Sequence, residues 1–448
     1  MKLPGFMRDL ARYPSAVFGM VIILFLIGLS IYTVIKIPYS RAVELWRGSE
    51  SIWYRNPKMA PPVWVNWFRS EKLAESLYVS SEEGMAQVEV GETNEKGMTN
   101  YTMLFPFEYT ADVFPQEMIL YFHSTYEEKQ PFVDINWLTP DGREIRIGSF
   151  GVSDGQSFWF SQDDKLPRRI SGLNPTEGLF VDDPKAEVRN LLKGTYQVKI
   201  VATTFEPDST IDIEFVLHGQ VAGWAGTDHL RRDLGVALLW GTPIALSFGL
   251  IAALLTSVAH MAIAAIGVWF GGWIDELIQR VTEINLVLPF LPIMIMIGTF
   301  YSRSIVTIFG AVILLSLFGT AVKSLRSVFM QIKESPYIEA ARSYGAGSWR
   351  IIILYLIPRL IPLLVPALVT AIPGYVFLEA SLAVLGLGDP VLPTWGKMIN
   401  DASGNGALYK GLYYWVLQPS VMLMFAGLGF ALVGFSLDRI FNPRLRGI

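Results

Sequence analysis

The sequence predicts an α-helical integral membrane protein with six transmembrane helices and a β-rich domain inserted between helices 1 and 2. Three observations predict this architecture. Hydrophobic residues make up 52% of the 448 residues and charged residues only 17%, whereas soluble domains carry about 25% charged residues. Uncharged segments of bilayer length occur near both ends of the chain. Between them, over residues 38–225, apolar and polar residues alternate with the period of a β-strand.

The first predicted span lies near the N-terminus. Residues 15–35 are 21 consecutive uncharged positions, which is about the length that crosses a bilayer. We find no small-residue cleavage site after them, so we interpret residues 1–37 as an N-terminal segment and a retained membrane helix rather than a removable signal.

Residues 38–225 are predicted to form a small β-sandwich. Strict alternation occurs in MILYFHSTY, PFVDINWL, TYQVKIVATTF and TIDIEFVLHG. Asp141-Gly142 falls between two such runs and predicts a hairpin. The region holds 17 basic and 28 acidic residues, a net charge of −11, whereas the remainder of the chain is +7. Four tryptophans near its start fit either a membrane-interface belt or the core of the β-domain: Trp46, Trp53, Trp64 and Trp67.

Residues 226–448 are predicted to contain the other five spans. Residues 234–274 contain no charged side chain over 41 positions, which predicts a long span at 243–269 preceded by an interfacial helix. The remaining spans are predicted at 284–301, 304–322, 351–378 and 413–437.

The distribution of Lys and Arg predicts the orientation. With both termini in the cytoplasm, twelve basic residues lie inside and three in short outside loops, and the acidic domain is extracytoplasmic. The inside set is Lys2, Arg8, Arg12, Arg280, Lys323, Arg326, Lys333, Arg342, Arg350, Arg439, Arg444 and Arg446; the outside set is Arg303, Lys397 and Lys410. The chain has no cysteine, which fits a prokaryotic inner membrane better than a eukaryotic secretory pathway.

A short charged helix is predicted between two spans, in ESPYIEAARSYGAGSW. Ser335 is its predicted cap, Pro336 its first residue, and Gly345 the left-handed residue that ends it. Ser348 is predicted to cap the next helix. A helix that carries charges is not lipid-facing, so it is either a docking element for another protein or a solvated loop helix. Its candidate contact residues are Glu339, Ala340, Ala341 and Arg342.

The pattern Glu339-Ala340-Ala341, three residues, Gly345 and later Pro358 resembles the EAA loop of binding-protein-dependent ABC importer permeases. The resemblance implies the ABC type I importer permease fold, with 323–350 as the cytoplasmic coupling loop. It also implies that the short helix, including Pro336 and Arg342, is a coupling helix seated on an ATPase subunit. The family pattern ends in I-x-L-P, and this chain keeps only the proline.

Other stretches resemble the C-type subunits of dipeptide/oligopeptide permeases. AGTDHLRRDL is similar to their GTD-x-x-G-R-D sequence before the second span, except that Arg231 replaces the glycine; Pro243 stands where an arginine is common. WFGGWIDELIQRVTEI, LEASLAVLGLG, PTWGKM and NPRLR are also similar. The resemblance covers residues 1–36 and 226–448 but not the β-domain.

The chain lacks the G-x-x-x-x-G-K-[ST] phosphate loop and shows no metal-ligand spacing among its four histidines. We therefore expect a transporter subunit rather than an enzyme, with no metal or cofactor of its own. The resemblance implies alternating access driven by ATP and Mg on two separate ATPase subunits. It also implies a second related permease, an extracytoplasmic substrate-binding protein and membrane lipid as partners; nucleic acid is not expected. Relatives carry dipeptides, oligopeptides, nickel chelates or oligosaccharides, and the sequence leaves this choice open.

Four residues are candidates for the translocation path. Glu379 is an ionisable group near the outer end of a span. Pro289 and Pro292 can bend a span and free carbonyls along a path, or only shape packing. Trp395 lies in the last outer loop, where it either contacts substrate or forms a structural turn.

Two other functions compete with an importer. A membrane sensor with an outer ligand-binding β-domain would explain the inserted domain, but five spans after that domain exceed what a sensor needs. An ABC exporter half normally carries its own ATPase domain or lacks the EAA-like loop.

Overall fold

The protein is described by a computed structural model over Leu10 and residues 12–94, 97–186 and 188–441. It divides into two compact units, Met1–Arg47 with Val236–Ile448, and Gly48–Gly235. The first unit is helical and the second is built mainly of strands. The expectations for Lys2, Arg8, Arg444 and Arg446 lie outside the described residues.

Over its described residues, the helical unit contains four helices that are long and apolar enough to cross a membrane, α1, α3, α9 and α11. Two bent pairs, α4 with α5 and α6 with α7, qualify when each pair is taken as one span, so the candidate spans number four to six. The helices are α1 (Pro14–Lys36), α2 (Tyr39–Arg47), α3 (Leu234–Phe270), α4 (Gly272–Val287), α5 (Phe290–Phe300), α6 (Ile305–Ser316), α7 (Thr320–Lys333), α8 (Pro336–Ser343), α9 (Ser348–Leu387, with π-helical turns at Ile352–Leu356 and Ala383–Leu387), α10 (Trp395–Gly404) and α11 (Tyr413–Phe441).

The spans predicted at 284–301 and 304–322 fall in the two bent helix pairs, so each stays a prediction with a bend that hydropathy did not indicate. The chain bends by 78° between α4 and α5, where Leu288 is extended at ψ 131°, because a residue that precedes proline is disfavoured in the helical conformation. It bends by 43° between α6 and α7. There the carbonyls of Leu315 and Phe318 accept hydrogen bonds from Asn285 at 2.8 and 2.9 Å. These bonds satisfy backbone groups that a broken apolar helix would otherwise leave exposed.

The interfacial helix predicted before residue 243 is continuous with the span, because α3 runs without interruption for 37 residues with Pro243 inside it. A proline lacks the N–H that would bond to the carbonyl four residues earlier, here that of Leu239. The Thr33 hydroxyl of α1 donates to this carbonyl at 3.5 Å. The break in hydrogen bonding is therefore filled from a neighbouring helix, and α3 continues.

Small residues allow α1 and α11 to pack closely. A Cβ atom on Gly19 would lie 2.8 Å from the carbonyl oxygen of Gly429, which is closer than a carbon can approach. Such close approach through small residues is typical of helix pairs in membranes, where dispersion contacts rather than water exclusion hold helices together.

The second unit is a β-sandwich, as predicted. Its strands are β1 (Leu77–Ser80), β2 (Gln87–Val90), β3 (Thr99–Tyr109), β4 (Glu117–Thr125), β5 (Phe132–Leu138), β6 (Glu144–Gly151), β7 (Ser157–Trp159), β8 (Gly194–Thr204) and β9 (Thr210–His218). They form two antiparallel sheets, in the orders β1-β9-β4-β7 and β2-β3-β8-β5-β6. The four alternating runs of the sequence are β4, β5, β8 and β9. The hairpin at Asp141-Gly142 is confirmed: it joins β5 to β6, with Gly142 at φ +86°.

The sandwich core is aromatic. Trp137 is fully buried, its indole N–H donates to the Leu179 carbonyl at 3.2 Å, and five other rings lie within 6.1 Å of its ring centre. Those rings belong to Phe107, Phe160, Phe180, Tyr196 and Phe215. Among the described residues, this core includes none of Trp46, Trp53, Trp64 and Trp67, so the prediction that they fill it is wrong. The membrane-interface belt stays a prediction.

The segment 226–233 is folded onto the sandwich unit. Thr227 bridges two backbone positions, accepting from the Ala60 N–H at 3.0 Å and donating to the Pro57 carbonyl at 2.7 Å. Asp228 is buried and pairs with Arg232 at 2.6 Å. Arg231 takes the left-handed conformation at φ +65° and donates from Nη1 to Nδ1 of His218 at 3.0 Å.

The buried His218 makes the sandwich unit sensitive to acid. Burial, and then the neighbouring Arg231 cation, lower the pKa of His218 from 6.5 to about 4. The folded state therefore holds a neutral imidazole where the unfolded state binds a proton, so stability is complete above pH 6.5 and falls as the pH drops towards 4. We expect the unit to lose up to about 3 kcal/mol over this range.

Hydrogen exchange of β9 in the full chain, corrected for the intrinsic rate at each pH, measures this loss. His218→Gln should flatten the pH dependence, and the exposed His123→Gln should leave it intact. An equal slope in the wild type and His218→Gln would contradict the assignment to His218.

Candidate functional site

The predicted short helix is present as α8. Pro336 occupies its first turn and Ser335 precedes it in an extended conformation at ψ 143°. Within the described residues, however, the Ser335 side chain makes no capping hydrogen bond, and neither does Ser348, which opens α9 after Gly347. Both predicted serine caps are therefore wrong. The fixed φ of Pro336 starts α8 without a side-chain cap.

The C-terminal end of α8 is closed by backbone hydrogen bonds. Gly345 is left-handed at φ +78°, as predicted. Its N–H donates to the Arg342 carbonyl at 2.9 Å, and the next N–H, of Ala346, donates to the Ala341 carbonyl at 3.0 Å. This pair of bonds is a Schellman motif, which satisfies carbonyls that the helix itself leaves free. The turn into α9 is thus held in one geometry.

The inner face of α8 is fixed to its own chain. Ile338 and Ala341 are buried in a cluster with Trp269 of α3 and Phe329 of α7. The Arg342 guanidinium lies over the Trp269 ring, 4.5 Å from its centre, and such a cation–π contact stabilises even near the surface. Ala341, predicted as a docking residue, therefore faces the interior, and the small residue that leaves room for another surface is Ala340.

The outer face of α8, which we call the knob face, consists of Pro336, Tyr337, Glu339, Ala340 and Tyr344. All five side chains are exposed, and Tyr344 is 92% exposed. The face combines one carboxylate with two aromatic rings around a small residue. Such a mixed, protruding surface can enter a groove on another protein, where aromatic anchors contribute most of the contact energy.

Two contacts that sequence analysis missed brace the helices beneath α8. Asp275 of α4 accepts two hydrogen bonds from Arg326 of α7, at 2.8 Å from Nε and 2.5 Å from Nη2. The Lys333 ammonium donates to the Val268 carbonyl at 2.7 Å, at the C-terminal end of α3. A cation there also interacts favourably with the helix dipole. The partners in these two contacts are 51 and 65 positions apart in the sequence. No sequence signal pairs residues at such separations.

The path candidates lie elsewhere in the helical unit. Glu379 is buried in α9 close to Thr394, whose hydroxyl accepts the Lys397 N–H at 3.2 Å. Trp395 is buried beside it and donates to the Leu238 carbonyl of α3 at 2.9 Å. Glu379 and Trp395 are thus brought together, but Trp395 serves packing and lines no open surface in this conformation.

The two path prolines sit at the bend between α4 and α5. Pro289 immediately precedes α5, and Pro292 lies in its first turn. Both are exposed. Glu379 and Trp395 are buried near the start of α10, whereas the prolines lie at an exposed bend. The helices that carry the two places meet, because Phe290 and Leu378 pack against the same buried cluster.

Comparison with known proteins matches the helical half of the chain. Residues 245–447 match the family described as binding-protein-dependent transport system inner membrane component. The glutathione transport system permease protein GsiD of Pectobacterium atrosepticum is 28% identical over 226 residues, 50% of this chain and 74% of that protein. The dipeptide transport system permease protein DppC of Bacillus subtilis is 29% identical over 50% of this chain and 69% of its own.

A third relative, the oligopeptide transport system permease protein OppC of Bacillus subtilis, is 30% identical over 225 residues, 50% of this chain and 72% of its own length. The family match begins at residue 245, so the β-sandwich unit lies outside it.

Proposed function

Because the chain belongs to the family of binding-protein-dependent transport system inner membrane components, we propose that it is the transmembrane permease subunit of an ATP-driven importer for peptides or similar small solutes. The names of the three relatives support the substrate class, since they refer to glutathione, dipeptides and oligopeptides. The single observation that carries the coupling role is α8, a short helix with one face buried in its own chain and the other exposed.

The contacts of α8 support a rigid transfer of force. A load on the knob face passes through Ile338 and Ala341 into the cluster that holds the end of α3. It passes also through the closed turn at Gly345 into α9. The brace between Asp275 and Arg326 ties α4 to α7. Closely packed side chains transmit a displacement rather than absorb it, so α8 moves α3, α7 and α9 together.

The proposed topology has six spans in the type I importer fold, with the bent pairs α4/α5 and α6/α7 as spans 3 and 4. Both termini and the coupling loop 323–350 lie in the cytoplasm of a prokaryote, and the inserted region 38–225 lies outside. The charge count supports this orientation. In this proposal residues 1–37 are the cytoplasmic N-terminus and first span, and residues 226–448 are the five-helix permease core.

The proposed cycle is alternating access. ATP binding closes two separate ATPase subunits, which draw the knob face with them, and the spans open outward to receive solute from an extracytoplasmic binding protein. A second, related permease completes the path. Glu379 and the bend at Pro289 and Pro292 are the proposed path elements of this chain, and Trp395 is the packing residue that positions α10.

The absence of cysteine makes a direct test simple. We expect Asp208→Cys, on the sandwich unit, to react with a membrane-impermeant maleimide in right-side-out vesicles, and Ala340→Cys to react only when the vesicles are opened. With a bifunctional reagent, Ala340→Cys should cross-link to an ATPase subunit and Asp208→Cys should not. The reverse labelling pattern would refute the orientation. A chain that binds solute but supports no ATP-dependent uptake would favour the sensor.

A further inference from the structure

The sandwich unit contains an open cleft of about 520 Å³ beside β4 and β7. Its walls are the rings of Tyr54, Tyr121 and Trp159, Glu50 lies at its rim, and Arg231 lines its floor. Three aromatic walls around one cation are the composition of a small-molecule site, in which apolar surface gives affinity and a few polar groups fix orientation.

Arg231 is an unusual residue for a protein interior. It is only 5% exposed, and its backbone is left-handed at φ +65°, a conformation that costs a residue with a side chain roughly 1–2 kcal/mol. Nη1 donates to the Asn56 carbonyl at 2.6 Å and to Nδ1 of His218 at 3.0 Å. Among the described residues, no partner engages Nε or Nη2. The guanidinium fork therefore keeps two donor nitrogens, Nε and Nη2, which together match a carboxylate in bidentate geometry.

The charge of Arg231 is only partly offset by its neighbours: burial lowers the pKa of Arg231, and Glu50 and Glu117, which favour the charged form, oppose this less strongly. The Nε2–H of His218 donates to the Tyr54 carbonyl at 2.7 Å, so Nδ1 accepts from Arg231 and the imidazole is neutral, in agreement with its lowered pKa of about 4. The nearby carboxylates have other partners: Glu50 pairs with Lys58, Glu117 accepts a hydrogen bond from the Ser161 hydroxyl, and Glu214 pairs with Arg55 at 2.8 Å. Within the described chain, no carboxylate forms an ion pair with Arg231. A buried cation without a counter-ion is costly, and a bound anion would remove that cost.

Tyr121 supplies a second donor at the cleft. Burial raises its pKa to about 12, so its hydroxyl keeps its proton at neutral pH. In the described part of the chain this hydroxyl has no hydrogen-bond partner, although the ring packs edge-to-face on Tyr54, with ring centres 4.9 Å apart.

We propose that this cleft is a binding site for a small carboxylate compound: the guanidinium of Arg231 takes the carboxylate in a bidentate pair, and the apolar body of the ligand packs between Tyr121 and Trp159. The site lies outside the family match, in the inserted domain, and does not depend on the importer assignment. Trp159 lies 5.6 Å from the Arg231 guanidinium, measured to the ring centre, so one ligand can contact both.

The test uses the full chain in lipid nanodiscs and a matched pair of probes, N-acetyl-phenylalanine and its C-terminal amide, which differ only in the carboxylate. By isothermal titration calorimetry we expect the acid to bind saturably and the amide at least tenfold more weakly, as charge-assisted hydrogen bonds to a buried fork require. Equal binding of the two probes, or no binding of the acid at millimolar concentration, would overturn the proposal without any variant. Tighter binding of phenyl phosphate would overturn the assignment to a carboxylate.

Variants locate the site. Arg231→Gly suits the left-handed backbone and removes the fork, so it should weaken binding of the acid at least tenfold; the exposed Arg168→Gly is the control and should bind as the wild type does. Tyr121→Phe keeps the ring and removes only the hydroxyl donor, and it should weaken binding several-fold even if Arg231→Gly fails to fold. Wild-type affinity in a folded Arg231→Gly, or in Tyr121→Phe, would refute the proposed geometry.

Discussion

Replacing Gly345 with valine is expected to lower ATP-driven uptake by the assembled transporter at least tenfold, while its ATPase subunits continue to hydrolyse ATP. Gly345 is left-handed at φ +78°, and a side chain there costs roughly 1–2 kcal/mol; 1.4 kcal/mol is a factor of ten in an equilibrium. Beyond its own residue and its two chain neighbours, no described atom lies within 4 Å of the position that its Cβ would take. The effect is therefore backbone strain alone, which opens the turn that holds α8 to α9.

Gly347 provides the matched control two residues away. It is extended at φ −67° and ψ 156°, a conformation that β-branched residues adopt readily, and the space around its Cβ position is also open among the described residues. Gly347→Val should transport as the wild type does. Proteoliposomes loaded with ATP and carrying the ATPase and partner subunits give uptake and hydrolysis in one preparation. Equal uptake by the two variants would contradict a role for the closed turn in coupling.

The features that local chemistry decides could be predicted from the sequence. Gly345 is left-handed because it directly follows a short helix and has no side chain that would disfavour this conformation. Asp141-Gly142 forms a turn because it separates two alternating runs. The four runs become strands because their period admits one buried face. The end spans were found for a similar reason, since a long uncharged segment has few stable environments outside a bilayer.

The remaining features depend on contacts between distant residues. Hydropathy indicates that residues 284–301 suit lipid. It does not indicate that Asn285 donates hydrogen bonds to carbonyls at the bend between α6 and α7. The burial of Trp395 depends on the carbonyl of Leu238 in α3. The pair of Asp275 with Arg326 joins two helices, α4 and α7, that are distant in the sequence. The cleft around Arg231 needs β4, β7 and the segment before α3 to meet, and no periodicity encodes that meeting.

The inserted unit is expected to depend most strongly on Trp137. Trp137→Ala removes a fully buried indole that contacts five other rings and leaves the Leu179 carbonyl without its donor. Truncating a buried tryptophan costs about 3–5 kcal/mol, a large part of the 5–15 kcal/mol that stabilises a typical domain. Hydrogen exchange in the full chain should show protection of β5 and β8 falling by about a hundredfold or more, while α11, in the other compact unit, keeps its protection.

Trp67→Ala is the surface control for Trp137→Ala, because Trp67 lies in the same unit but is 81% exposed. A surface truncation changes the free energy of unfolding by less than about 0.5 kcal/mol, so β5 and β8 should exchange as in the wild type. If Trp137→Ala left their protection unchanged, the aromatic cluster would not be what stabilises the sandwich. If instead it loosened α11 equally, the two units would unfold as one, and a ligand that stabilises the sandwich would also stiffen the permease helices.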